Sequence, residues 1–332
     1  MILTFNGKFM SRGLNKVLGY ESTPVDPYNP LGLPPNTLRV RTTKSPPIKE
    51  SRTTYETATL VPGTTDIYDV YKSGTNFDEL LWSSENVVEV LGGNTTGITS
   101  MERMFDSCQK LTSSVVFDTS SVTNMKGMFY NCNRLTNVPL FDTSNVTDMT
   151  LMFYFCTALT TVPLFDTSKV TTMNSMFAVC GSLTSVPLFD TSSVTNMGGM
   201  FGSCYNLTTV PLFDTSSVTT MGSMFAGCAS LTSVPIFDTS KVTNMDSMFE
   251  DCTSLTTVLL FDTSKVTNMD DMFMNCYKVE SGALALYQQA RSQANPPSTH
   301  NHAFANCGRD TVTGAAELAQ IPVSWGGNQG RT

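Results

Sequence analysis

From residue 101 onward the apolar positions of the chain return in a fixed order, once every 24 residues. Met-Phe pairs run from Met104-Phe105 to Met272-Phe273, and a cysteine stands three places after each Phe, at Cys108, Cys132, Cys156, Cys180, Cys204, Cys228, Cys252 and Cys276. Leu follows each Cys by three, from Leu111 to Leu255, with Val279 in the eighth place. Phe-Asp-Thr-Ser recurs from Phe117 to Ser264 and leads each time into x-Val-Thr-x-Met. A fixed period of this size marks stacked repeats, because one unit cannot bury its own apolar face and its neighbours must do so.

Spacing within the unit predicts the path of one coil. Val, Met, Met-Phe, Cys and Leu fall every third or fourth residue, which predicts a tight helical or 3₁₀ turn with one inward stripe. Leu-Thr-x-Val then reads as a short parallel strand, weakened where Pro139, Pro163, Pro187, Pro211 and Pro235 remove a ladder donor. The Asp-Thr-Ser corner reads as a turn in which Asp accepts backbone N–H groups. About nine coils at ~4.8 Å spacing give a body roughly 40–45 Å long.

The frame reaches beyond the motif. Leu80, Leu81, Val87 and Ile98 sit 24 residues before Met104, Phe105, Leu111 and Val122, so Asp78–Ser100 reads as a degenerate first coil. Phe304-Ala-Asn-Cys307 repeats the Phe-x-x-Cys spacing and reads as a degenerate last one. Four segments follow. Residues 1–35 hold a hairpin around Asn6-Gly7, a favoured two-residue turn, and a five-proline linker. Residues 36–76 form a small β module, with strands at Thr37–Arg41, Ala58–Val61 and Asp66–Lys72. Residues 77–279 are the solenoid. Residues 280–332 are a C-terminal helical cap, with a helix at Ala283–Arg291 whose Leu284, Leu286 and Tyr287 cover the last coil. A second helix is expected at Ala315–Gln320, capped by Thr313.

Charge changes the picture of partners. The net charge of −8 argues against nucleic acid. Residues 1–52 carry eight basic and three acidic residues, whereas residues 101–276 carry seven basic and fifteen acidic. The two ends therefore suit different neighbours. No window approaches the ~18 apolar residues of a membrane span. The N-terminus lacks the basic and apolar regions of a signal peptide.

Chemistry-bearing residues are explained more simply by structure than by catalysis. The cysteine column reads as small buried side chains rather than a metal or redox site, since free Cys is among the most buried residue types. The Asp118–Asp262 column reads as turn capping rather than calcium binding, each Asp preceding Thr-Ser. His300 and His302 are the two histidines, placed in a solvent-facing loop without a third ligand. No nucleotide loop or nucleophile elbow is present. No enzyme, cofactor or metal site is expected.

Positions that the core leaves free are the candidate recognition surface: Tyr130, Arg134, Tyr154, Lys169, Tyr205, Lys241, Lys265 and Tyr277. Exposed Tyr among Asn and Ser is the composition of adaptable binding surfaces. Ile2, Leu3, Phe5 and Phe9 are the candidate anchor, since a hairpin that short needs another surface.

The Phe-Asp-Thr-Ser-x-Val-Thr-x-Met-x-x-Met-Phe-x-x-Cys repeat resembles the BspA-like leucine-rich repeat family of bacterial and bacteriophage surface proteins, over about residues 77–280. The resemblance implies a leucine-rich-repeat solenoid, with roles in adhesion or host-surface binding. Without an export signal, a bacteriophage virion fibre or decoration protein is the expectation. Its N-terminus would hold a capsid or tail protein, and its solenoid a host surface protein or glycan, with no nucleic acid and no membrane. A secreted bacterial adhesin and a ligand-free capsid or tail spacer are the alternatives, and self-association stays open.

Overall fold

The computed structural model describes residues 29–327 apart from 44, 48 and 50. The expected N-terminal hairpin, its anchor side chains Ile2, Leu3, Phe5 and Phe9, and most of the linker lie outside the described residues.

The chain winds as a repeat solenoid. One residue per coil joins the next by a parallel bridge, from Asn76 to Ser100, Asn124, Asp148, Thr172, Asn196, Thr220, Asn244, Asn268 and Thr299. Beside it, Thr123 donates its N–H to the Thr99 carbonyl at 2.9 Å, and Thr147, Thr171, Thr195, Thr219, Thr243 and Thr267 do the same at 2.8–2.9 Å. The strand-like ladder therefore lies at Val-Thr-x-Met. The strand expected at Leu-Thr-x-Val is displaced: its Thr136, Thr160, Thr208 and Thr256 bonds stretch to 3.2–3.4 Å. Proline in that stretch lacks the N–H a ladder needs, while Val-Thr-x-Met holds no proline and carries β-branched residues.

Met-Phe-x-x-Cys is not helical, which corrects the expected helical or 3₁₀ turn. Each coil carries two left-handed residues four apart, such as Arg103 (φ 51°) and Ser107 (φ 61°), or Ser175 (φ 52°) and Val179 (φ 63°). Alternate N–H groups then point in different directions. Those of Arg103, Phe105 and Ser107 cross to the Lys126, Met128 and Tyr130 carbonyls at 2.7–2.9 Å, while Met104 and Cys108 turn back to Met101 and Phe105. A 3₁₀ turn would spend every donor inside the coil and leave the stack without cross-links. Each left-handed non-glycine residue costs ~1–2 kcal/mol. Leaving a buried N–H unpaired costs a comparable ~1–3 kcal/mol and repeats at every rung, so the cross-linked arrangement holds.

Inside, the Val and Met of Val-Thr-x-Met, the Met-Phe pair, the Cys and the Leu or Val three places after it are buried from Val122 to Val279, and one apolar cluster runs from Leu38 to Trp325. The Phe of Met-Phe stacks on its counterpart from Phe105 through Phe273 to Phe304, with ring centroids 5.1–5.8 Å apart. Each cysteine thiol from Cys108 to Cys276 donates to the main-chain carbonyl 27 residues earlier, as Cys132 Sγ does to Phe105 at 3.1 Å and Cys276 Sγ to Phe249 at 3.0 Å. At the corner, Asp118 Oδ1 accepts from Ser120 N–H and Oγ at 3.0 and 2.6 Å, and buried Thr119 donates to the Asp142 carbonyl at 2.9 Å. The aspartates are turn residues.

At the N-terminal end, strands β1 (Thr37–Thr42), β2 (Thr57–Leu60), β3 (Ile67–Tyr71), β4 (Val87–Asn94) and β5 (Ser113–Ser114) form one sheet in the order β2-β3-β1-β4-β5. Strand β4 belongs to the first coil yet pairs antiparallel with β1, and parallel with β5 of the coil after it. The sheet and solenoid thus share a core across residue 76.

At the other end, the ladder continues past residue 279 through a 31-residue interval, Asn268 to Thr299. Helix α1 (Ala283–Ser292) fills the insertion. Leu286 and Tyr287 are buried and Leu284 is half-buried. Where another coil would have bonded, side-chain amides stand in: Gln289 Nε2 donates to the Phe261 carbonyl at 2.6 Å and Gln293 Nε2 to Thr263 Oγ1 at 2.5 Å. Gly282 starts the helix at φ 97°, where a Cβ would lie 2.0 Å from the Val258 carbonyl, so only glycine fits. Helix α2 spans Val312–Leu318 with Thr311, not Thr313, as its cap. Thr311 Oγ1 accepts from Gly314 N–H at 3.0 Å and donates to the Val279 carbonyl at 2.7 Å, a bond that fixes the helix start on the last coil.

Burial raises the pKa of all nine cysteines, Cys228 to about 12. Unfolded thiols ionise near 9.0, so the folded state holds more protons above that pH. Each thiol's contribution is complete below pH 9 and is lost as pH rises toward its folded pKa, by ~1.4 kcal/mol per pH unit. The urea midpoint should therefore fall steeply between pH 9 and about 11. A midpoint flat over that interval would contradict the buried column.

Candidate recognition surface

Two of the eight candidate residues meet in ring contact. Tyr130 and Tyr154 occupy the same place in consecutive coils, just after Met-Phe, and their rings stack at 4.9 Å and 8°. The stacking follows from the repeat itself, since equal positions in adjacent coils sit one rung apart. Arg103, one coil earlier, lays its guanidinium over the other face of Tyr130 at 5.1 Å. The Arg103 guanidinium also pairs with the Asp106 carboxylate, whose side chain is only 3% exposed. Burial raises the Tyr130 phenol pKa, with Tyr154 adding to the effect.

The row then ends abruptly. Ala178 and Gly202 are its next members, so no ring continues the stack beyond Tyr154. Phe155, held left-handed at φ 62°, is 41% exposed and lies 6.3 Å from Tyr154. With Asn131 these rings border a cavity of about 280 Å³. A flat aromatic step bounded by an amide is suited to the apolar face of a ring-shaped polar ligand, the amide serving its hydroxyls.

The remaining candidates are dispersed. Tyr205 is exposed and stands over Gly181, where a Cβ would lie 3.3 Å from its ring. Tyr277 is half-buried beneath Arg309, whose guanidinium lies 4.1 Å from the ring centroid. Arg134 is exposed and edges a separate shallow pocket with Glu85, Gln109, Lys110 and Asn133. Lys169, Lys241 and Lys265 are exposed on the Asp-Thr-Ser corner, Lys169 Nζ donating to Asn145 Oδ1 at 2.7 Å. The histidine loop is corrected in part: His300 stacks on Trp325 at 3.9 Å, while His302 is exposed beside Asp271.

Two features escaped the sequence reading. One is a polar cleft of about 320 Å³ between Asn174, Asn196, Asn244 and Asp246, opened by Gly198 and Gly222. The other is an exposed aliphatic row, Leu140, Leu164, Leu188, Leu212, Ile236 and Leu260, each 52–61% exposed. The Leu-Phe step carries the signal for that row, since neighbours in an extended stretch face opposite sides and a buried Phe leaves the Leu before it outside. Among the described residues no three His, Cys, Asp or Glu side chains form a metal-binding group. No helix among them is long and apolar enough to cross a membrane.

A family model described as "Mycoplasma protein of unknown function, DUF285" matches residues 65–187, 157–233 and 182–287. No curated protein matches. Among solved structures, a leucine-rich repeat protein from Eubacterium ventriosum is similar at 24% identity and a TM-score of 0.36, over 54% of this chain and 43% of that one. The match thus spans less than half of the Eubacterium protein. A leucine rich cell surface protein from Faecalibacterium prausnitzii is similar at 20% identity and a TM-score of 0.31, over 64% of this chain and 77% of that one. No ligand or partner is inferred from likenesses this distant.

Arg103 ties the stack to a buried charge. Arg103→Ala should lower stability by about 2 kcal/mol, because the Asp106 carboxylate loses its ionic partner inside the protein. Arg103→Lys should recover part of that loss. Equal urea midpoints for wild type and Arg103→Ala would refute the coupling.

Proposed function

We propose, from the premise that this chain belongs to the DUF285 family, that it is a non-enzymatic surface-displayed adhesion module, carried on a bacteriophage virion as a fibre or decoration protein and presented to host-cell glycans. The observation behind the binding half of this reading is the aromatic step at Tyr154 and Phe155. It is a break in an otherwise regular surface, made by residues the core does not need. The nine thiols and the thioethers of the Met-x-x-Met-Phe ladder lie in the core. Apart from the aliphatic row, the solenoid presents outward Thr, Ser and Asn with a few rings.

The display half rests on charge. A basic N-terminal segment and an acidic body do not prefer the same surface, and Ile2, Leu3, Phe5 and Phe9 supply apolar contacts for an anchor on a capsid or tail protein. Deleting residues 1–20 should abolish co-purification with particles, and undiminished incorporation would sink the virion assignment. The family description, which names a bacterial genus, favours a second reading as a bacterial surface adhesin. Immunolabelling that finds the protein on bacterial envelopes and never on particles would select it.

Binding is tested separately, on a glycan array and on host cells, with the full chain. Tyr154→Ala and Phe155→Ala should each weaken binding about tenfold, the equivalent of ~1.4 kcal/mol and within the range of a lost aromatic contact. Wild type that binds no glycan or cell, or variants that bind equally well, would leave the ledge without this role.

A further inference from the structure

Leu-Thr-x-Val-Pro-Leu-Phe, or its close variant, contains no charged residue in six consecutive coils: 135–141, 159–165, 183–189, 207–213, 231–237 and 255–261. In a chain of net charge −8 this is a neutral window. Its inward side is ordinary core, with Phe141, Phe165, Phe189, Phe213, Phe237 and Phe261 at most 3% exposed. Its outward side is the aliphatic row, about 60% exposed at Leu164, Leu188, Leu212 and Ile236. Exposed Thr136, Thr160, Thr184, Thr208, Thr232 and Thr256 run along one border, and Asp142, Asp166, Asp190, Asp214, Asp238 and Asp262 along the other.

We propose that this face is an interface between two copies of the chain, lying side by side with their solenoid axes parallel. The area is of the right order. Six rungs at ~4.8 Å and seven extended residues at ~3.3 Å give on the order of 500 Å² in projection. Projecting side chains raise the accessible area toward the ~800 Å² per partner of a standard interface. An exposed aliphatic row rimmed by polar residues over six rungs is the pattern of an interaction site. The period of the face selects the occupant, because a ridge that repeats once per coil is matched in pitch along its whole length by another copy of the same solenoid. Charge selects the same contact: two acidic bodies approach with least repulsion where neither carries a charge.

Charge also fixes the orientation. Thr and Asp rows lie on opposite sides of the aliphatic row. A twofold axis along the solenoid sets the Asp row of each copy against the Thr row of the other, where carboxylates meet hydroxyl donors. An antiparallel pair would bring the two Asp rows together.

Light scattering and sedimentation velocity on the full chain, over a range of concentrations, read the mass directly. Wild type should run at twice the 36.1 kDa of the chain, and Leu188→Lys with Leu212→Lys should run as a folded monomer with the circular dichroism spectrum of wild type, its melting temperature losing only the concentration dependence that association adds. Should the lysine pair impair folding, Leu188→Ser with Leu212→Ser should still weaken dimerisation at least tenfold. Orientation is read by disulfide formation, the native thiols being buried: Leu140→Cys and Leu260→Cys should each cross-link to itself. A monomeric wild type at its highest soluble concentration, or one that stays monomeric while a glycan or another protein occupies this face, overturns the proposal. A dimer that survives the lysine pair also overturns it. Cross-links formed only between Leu140→Cys and Leu260→Cys overturn the parallel arrangement. None of these outcomes depends on whether the aromatic ledge binds a glycan.

Discussion

The backbone pairing between neighbouring coils is the constraint from which the rest of this structure follows. Alternate N–H groups of the Met-Phe-x-x-Cys stretch reach forward to the next coil, while the Thr of Val-Thr-x-Met reaches back to the previous one. Both sets of bonds hold only when equal positions stand one rung apart, which is why the length of the unit cannot drift. The side chains then have little freedom. Phe must stack on Phe, and the thiol must meet the carbonyl that its place in the coil presents. Thr119 and its counterparts must fill the buried slot beside the next Asp carbonyl. The bonds between coils join residues about 24 apart, so closing each rung costs a similar, modest loop entropy, and order can spread from any coil to its neighbours.

The sequence made the solenoid legible because its signal is redundant: Cys156 and Cys180 are interchangeable, and so are their surroundings. The course of the backbone within a coil was far less legible. Left-handed residues at Arg103, Leu151, Phe155 and Val179 have no common side-chain chemistry, and glycine marks the same places only at Gly127, Gly199 and Gly227. A three-to-four spacing of apolar residues is shared by helices and by successive turns, so periodicity alone chose the commoner element. The ladder was assigned to the wrong side of the coil for a related reason. Leu-Thr-x-Val has the composition of a strand, but the proline after it decides the hydrogen bonding.

The surface divides differently. Tyr130 and Tyr154 could be singled out from sequence, since rings at equal positions of adjacent coils must meet. That Arg103 closes one side of the stack depends on a guanidinium placed by Asp106, and no motif records this. Tyr277 beneath Arg309 joins residues on either side of the inserted helix, and His300 against Trp325 both lie beyond the 31-residue interval, where the frame no longer predicts neighbours. The aliphatic row was hidden by its regularity: a Leu that recurs in every coil reads as core until the buried Phe beside it is seen to take the inward side of the extended segment.

Identical rungs have a consequence for descent as well as for stability. Each coil presents the same contacts above and below, so a gain or loss of 24 codons leaves every remaining interface intact, and the two dissimilar ends never notice. A gain or loss of one codon, in contrast, shifts every donor past its acceptor. Length in such a lineage should change in whole coils, each moving the far end by about 5 Å. Recombination between near-identical repeats would then set how far the protein reaches, with no new interface to invent.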